Sequence, residues 1–95
     1  MLKAYALTHH GVLKRTTEVY TIAYVAAATP WEARLVHPDT ELKWSFADDC
    51  WVDPDGFKVD DGAWPRPEDV TVHPAGAAPA DAHHGKVLGC RFVPG

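Results

Sequence analysis

The apolar and polar residues of this chain alternate at the β-strand period in several short segments, and only one segment carries a clear helix start. Leu2–Leu7 alternates loosely and runs into Thr8-His9-His10-Gly11, where the glycine permits a positive φ, so the run reads as a strand followed by a turn. Val12–Ala27 is rich in β-branched and aromatic residues, with Tyr20, Ile22 and Tyr24 on one face and Val19, Thr21, Ala23 and Val25 on the other. Two partly apolar faces predict a central strand. The stripe Val19, Ile22, Ala23, Ala26 also fits helical spacing, but its residue types favour extended backbone.

At Thr29-Pro30-Trp31-Glu32 the chemistry changes. Thr29 is a capping residue, Pro30 suits the first helical position because its missing N–H has no partner there, and Glu32 completes a capping box. The residue before Pro38 is pushed away from helical dihedrals, which limits the predicted helix to residues 30–36. A helix so short needs packing to persist, and Trp31 and Leu35 are the side chains expected to dock it on the sheet.

Glu41–Ala47 sets Leu42, Trp44 and Phe46 against Glu41, Lys43 and Ser45, the pattern of a half-buried strand with those three apolar residues in the core. Asp53-Pro54-Asp55-Gly56 has the composition of a type I turn and predicts a hairpin between Cys50–Val52 and Phe57–Val59. Trp64-Pro65-Arg66-Pro67 is too proline-rich for a sheet interior. Val70–His73 predicts a short strand, residues 74–82 a mobile Ala/Pro-rich surface loop, and Lys86–Val93 a last strand. The elements add up to one α+β domain over residues 1–95: a small, mostly antiparallel sheet of about five strands with one short helix, with an all-β barrel as the competing arrangement.

Composition narrows the function classes. At 46% hydrophobic and 23% charged, the 95 residues have the make-up of an ordinary globular domain, with no apolar run long enough to span a bilayer and no signal-peptide pattern, so a cytoplasmic protein is expected. In a reducing compartment Cys50 and Cys90 are expected as free thiols acting as small buried hydrophobes, with a disulfide between them as the minority alternative. The net charge of −4, a single adjacent basic pair at Lys14-Arg15 and the absence of Asn and Gln argue against direct nucleic-acid binding.

The acidity is local. Residues 44–64 hold six of the thirteen carboxylates against Lys58 alone, together with three of the four tryptophans. The aspartates 48, 49, 53, 55, 60 and 61 do not follow the spacing of a calcium-binding EF-hand loop, and aspartate at hairpin turns is explained by side-chain capping of the turn. The tripeptides His9-His10-Gly11 and His83-His84-Gly85 would gather four imidazoles if their turns met. Adjacent histidines on a strand point to opposite faces, however, so His9, His10, His83 and His84 are weak metal candidates, and no cofactor is expected. Ser45 lies in mid-strand, and Cys50 stands beside Asp48 and Asp49, which disfavour its thiolate; neither resembles an activated nucleophile, and a non-enzymatic protein is expected.

The remaining reading is recognition. Trp51, Phe57 and Trp64, with Asp53, Asp55, Asp60 and Asp61 around them, combine apolar anchors with a negative field. They are the expected partner-binding residues of a small acidic protein-binding module, an inhibitor or accessory subunit docking on a basic protein surface, for which a nucleic-acid-binding protein is a natural partner. The alternative is a structural subunit of a larger assembly, and a metal-binding or enzymatic domain is third. The helix entry Thr-Pro-Trp-Glu is common chemistry and identifies no family.

Overall fold

In the computed structural model, which describes residues 2–9, 19–39, 41–59 and 63–94, seven strands form two antiparallel sheets with one short helix. The first sheet contains β1 (Lys3–His9), β2 (Val19–Ala27), β6 (Val70–Ala77) and β7 (Val87–Val93) in the order β6-β1-β2-β7. The second contains β3 (Lys43–Ser45), β4 (Cys50–Val52) and β5 (Lys58–Val59) as a meander. The α+β class holds, but the expected single five-stranded sheet is two sheets of four and three strands, and neither closes into a barrel.

The two layers meet in one core. Tyr5, Leu7, Ala23, Val25, Ala27 and Val70 of the large sheet pack with Ala33, Trp51 and Trp64. Both the helix α1 (Pro30–Arg34) and the small sheet therefore cover the same face of the large one. Hydrogen bonds to carbonyls of the 63–66 connector help join the layers: Tyr20 N–H donates to Ala63 O at 3.0 Å, and the Trp51 indole N–H donates to Pro65 O at 3.0 Å.

The helix begins as its sequence dictates, with Glu32 N–H donating to Thr29 Oγ1 at 3.2 Å. Its docking residue is not Trp31, which is 57% exposed, but the fully buried Ala33. Two residues advance a helix by about 200°, so Trp31 and Ala33 face opposite ways. Leu35, the other expected docking residue, is the C-terminal cap and is half-buried.

Several other expectations change. Phe46 is 67% exposed because β3 ends at Ser45 and the β3–β4 turn begins at Phe46, so alternation no longer sets its face. Pro74–Ala77 belongs to β6 rather than to a loop; β6 is an edge strand, where proline costs no ladder hydrogen bond on its open side. The irregular stretch shrinks to residues 78–86, which cross the end of the sheet from β6 to β7, about 14 Å at the usual strand spacing. There Gly85 N–H donates to Ala26 O at 2.8 Å and Ala26 N–H to Lys86 O at 2.9 Å. Cys50 and Cys90 are free thiols, but Cys50 is half-buried and Cys90 exposed on the edge strand β7 rather than in the core. Among the described residues, no helix is long and apolar enough to cross a membrane.

The burial of Trp51 and the exposure of Phe57 separate two aromatics that the sequence grouped together. Trp51→Ala is expected to lower unfolding free energy by about 3–5 kcal/mol, as for other buried large-to-small changes. Phe57→Ala is expected to stay within about 0.5 kcal/mol of the parent, as for other surface substitutions. Urea denaturation followed by tryptophan fluorescence for Phe57→Ala and by far-ultraviolet circular dichroism for both variants measures the difference.

Candidate functional site

The expected recognition residues do not form one surface. Trp51 and Trp64 are 5% and 4% exposed and belong to the core, where Trp51 pairs across strands with Trp44 at 5.2 Å between ring centroids. They are corrected from contact residues to framework. The physical reason lies in the pleat: Trp51, at the centre of β4, points toward the large sheet, whereas the aspartates beside it in sequence lie in the flanking turns. Phe57 is 70% exposed, Asp55 is exposed and Asp53 is half-buried. Asp60 and Asp61 lie outside the described residues.

Asp53 organises the hairpin tip between β4 and β5. Gly56 N–H donates to Asp53 O at 2.9 Å, closing the turn, and Gly56 takes φ +86°, the left-handed region that favours glycine. The Asp53 carboxylate Oδ1 accepts from Asp55 N–H at 3.0 Å and from Phe57 N–H at 2.9 Å. Asp53 N–H donates to Phe57 O at 2.9 Å. Phe57 thus projects from a backbone fixed on both sides.

The acidic turn between β3 and β4 is occupied differently. Asp48 N–H donates to Ser45 Oγ at 3.1 Å, and Ser45 O–H donates to Asp48 Oδ2 at 3.0 Å. Arg66 donates to Asp49 O and Asp49 Oδ1 and, through Nε, to Glu68 Oε1 at 2.7 Å, while its guanidinium carbon lies 5.2 Å from the Trp44 ring centroid. These bonds, to Asp49 first and then Glu68, raise the Arg66 pKa further above its ordinary value. Asp49 is held at φ +56°, a conformation uncommon for a residue with a side chain, and the Arg66 bonds offset that cost.

His9 and His84 do not converge. His9 Nε2–H donates to Tyr20 O at 2.9 Å, and its ring meets Trp64 edge-on at 5.4 Å. His84 Nε2 is 3.3 Å from Glu32 Oε2, and the following Gly85 is bonded to Ala26. Tyr20 and Ala26 are six residues apart on β2, about 20 Å. His9 and His84 therefore sit toward opposite ends of that strand, and no group of three or more metal-ligating side chains occurs among the described residues. His10 lies outside them.

Two features escaped sequence reasoning. The first is His37, which is buried beside Tyr20, Trp51 and Trp64, with ring centroids 6.2, 4.9 and 6.4 Å away, and accepts Asp39 N–H at Nδ1 at 2.9 Å. Its only sequence signal was the position before Pro38. The second is a half-open groove of about 620 Å³ between the segment that follows α1 and the start of β7. It joins residues around 32–44 to residues 83–87, a pairing that no local pattern could announce.

Because Nδ1 accepts a backbone N–H, His37 must be the neutral Nε2–H tautomer. Long-range ¹H–¹⁵N correlation spectra at neutral pH are expected to show Nδ1 as the unprotonated nitrogen; a protonated Nδ1 is incompatible with the Asp39 bond. In comparisons with known proteins, no family model, no curated protein and no solved structure matches the chain.

Proposed function

We propose that this is a small, non-enzymatic, cytoplasmic protein-binding module, an inhibitor or accessory subunit, that docks the β4–β5 hairpin tip on a basic surface of another protein, with a nucleic-acid-binding protein as a fitting partner. The observation that carries the reading is Phe57: a large apolar ring, 70% exposed, on a turn whose backbone is locked by Asp53. A pre-ordered anchor loses little conformational entropy on binding, which is the condition under which one aromatic contributes strongly to affinity. Asp55 places an exposed carboxylate beside it, and a negative rim favours approach to a positive partner. Trp51 and Trp64 enter this proposal only as the packed base beneath the hairpin.

A second reading rests on the sheet edges. The large sheet ends in β6 and β7, and no further strand pairs with either among the described residues, so a structural subunit adding strands at an edge remains the alternative. Size-exclusion chromatography with light scattering separates the two: a monomer across a concentration series supports the binding module, and concentration-dependent growth supports the subunit.

Quantitative affinity capture from cell extract with wild type, Phe57→Ala and Asp55→Lys tests the hairpin directly. Basic proteins retained by wild type are expected to fall by about tenfold or more with each variant, as for an interface anchor and a rim charge reversed. Trp31→Ala, on the helix, is expected to retain them. Equal retention by Phe57→Ala and Asp55→Lys overturns the reading.

A further inference from the structure

The groove beside α1 reaches the base of the β4–β5 hairpin at Lys43, which pairs with Val52, but its charged lining differs from that of the hairpin tip. Leu35, Val36, Leu42, Trp44 and Val87 supply an apolar lining. Lys43 of β3 and Lys86, the residue before β7, both line it, so its two lysines come from different layers of the fold. Neither lysine takes part in an ion pair among the described residues. The one carboxylate in the lining, Glu32, already faces His84 Nε2 at 3.3 Å. In a protein of net charge −4, this is a locally cationic, partly apolar concavity.

We infer that this groove is a binding site for a small apolar carboxylate, with the anionic group between Lys43 and Lys86 and the hydrocarbon or aromatic body against Trp44, Val36 and Val87. Three observations support that class of ligand. At about 620 Å³ the groove falls within the usual range for small-molecule sites, and its half-open shape would leave one end of the ligand in contact with water. Its charge asymmetry disfavours a cation, since its two lysines outnumber its one carboxylate. Its apolar wall disfavours a bare inorganic anion, which would leave Leu35, Val36 and Val87 uncovered.

The floor is firmly built. Val36 forms an antiparallel bridge with Lys43, Leu42 N–H donates to Asp39 O at 3.1 Å, and His37 in the lining is fixed by Asp39. On the other side, Gly85 and Lys86 are bonded to Ala26 of β2. The backbones of the two walls are thus anchored independently.

Three probes of one shape test the assignment by NMR titration: 2-naphthoate, neutral 2-naphthylmethanol and cationic 2-naphthylmethylammonium. Binding of 2-naphthoate should shift the amide signals of Val36, Lys43, Trp44, Lys86 and Val87 and should be about tenfold or more tighter than that of the alcohol, the usual scale for a hydrogen bond to a charged group. The ammonium should bind more weakly still. Lys43→Glu with Lys86→Glu should abolish the preference for naphthoate, whereas Phe57→Ala should leave it unchanged, which keeps this test separate from the hairpin. No shift at millimolar 2-naphthoate, equal binding of acid and alcohol, or shifts confined to other surfaces overturns the inference. The wild-type titration decides the matter even where the double variant is destabilised.

Discussion

The large sheet cannot fill its own interior. Its inner face is built from Ala23, Ala27, Val25, Leu7, Tyr5 and Val70, and the helix laid on it contributes only Ala33. Leu7 and Val25 are the largest side chains that are fully buried. Protein interiors pack as densely as organic crystals, so the missing volume has to come from elsewhere. Trp51 and Trp64 provide it, arriving from the small sheet and the connector, with His37 edge-on to Trp51 and tilted against Trp64, and Tyr20 edge-on to His37. Alanine on one side and indole on the other is one solution to a single constraint, and the positions of α1, the small sheet and the 63–66 connector follow from it.

That constraint also explains which features were legible in the sequence. Local chemistry was readable: the Thr29 cap, the Asp53–Gly56 turn and the strand Val87–Val93 all depend on residues close together in the chain. Phe46 was misread because a three-residue strand spans barely more than one period of alternation, so its end cannot be located from pattern alone. Trp51 and Trp64 were misread because charged neighbours in sequence are not neighbours in space; their burial depends on strands more than twenty residues away. The candidate hairpin site was therefore half legible, with Phe57 and Asp55 exposed and the indoles withdrawn, and the cationic groove was invisible to any local reading.

The local excess of aspartate also looks different once its partners are known. Asp48 closes a turn with Ser45, Asp49 holds Arg66, and Asp53 accepts two backbone N–H groups. These carboxylates stabilise irregular backbone first and contribute to the external field second. Arg66 in turn covers Trp44 and couples the β3–β4 turn to the connector, so a cluster that reads as a block of negative charge is in part a set of internal fastenings.

The strand order has a kinetic consequence. Each central strand has one partner from the far end of the chain: His9 pairs with Val70, and Val19 with Val93. Loops of sixty residues or more must close before those ladders form, and domains rich in such distant pairings fold slowly for their size. During synthesis the apolar residues of β1 and β2 remain without their outer neighbours until β6 and then β7 have been made. The seven-residue strand β7, although it lies at an edge, is the piece that completes the described sheet.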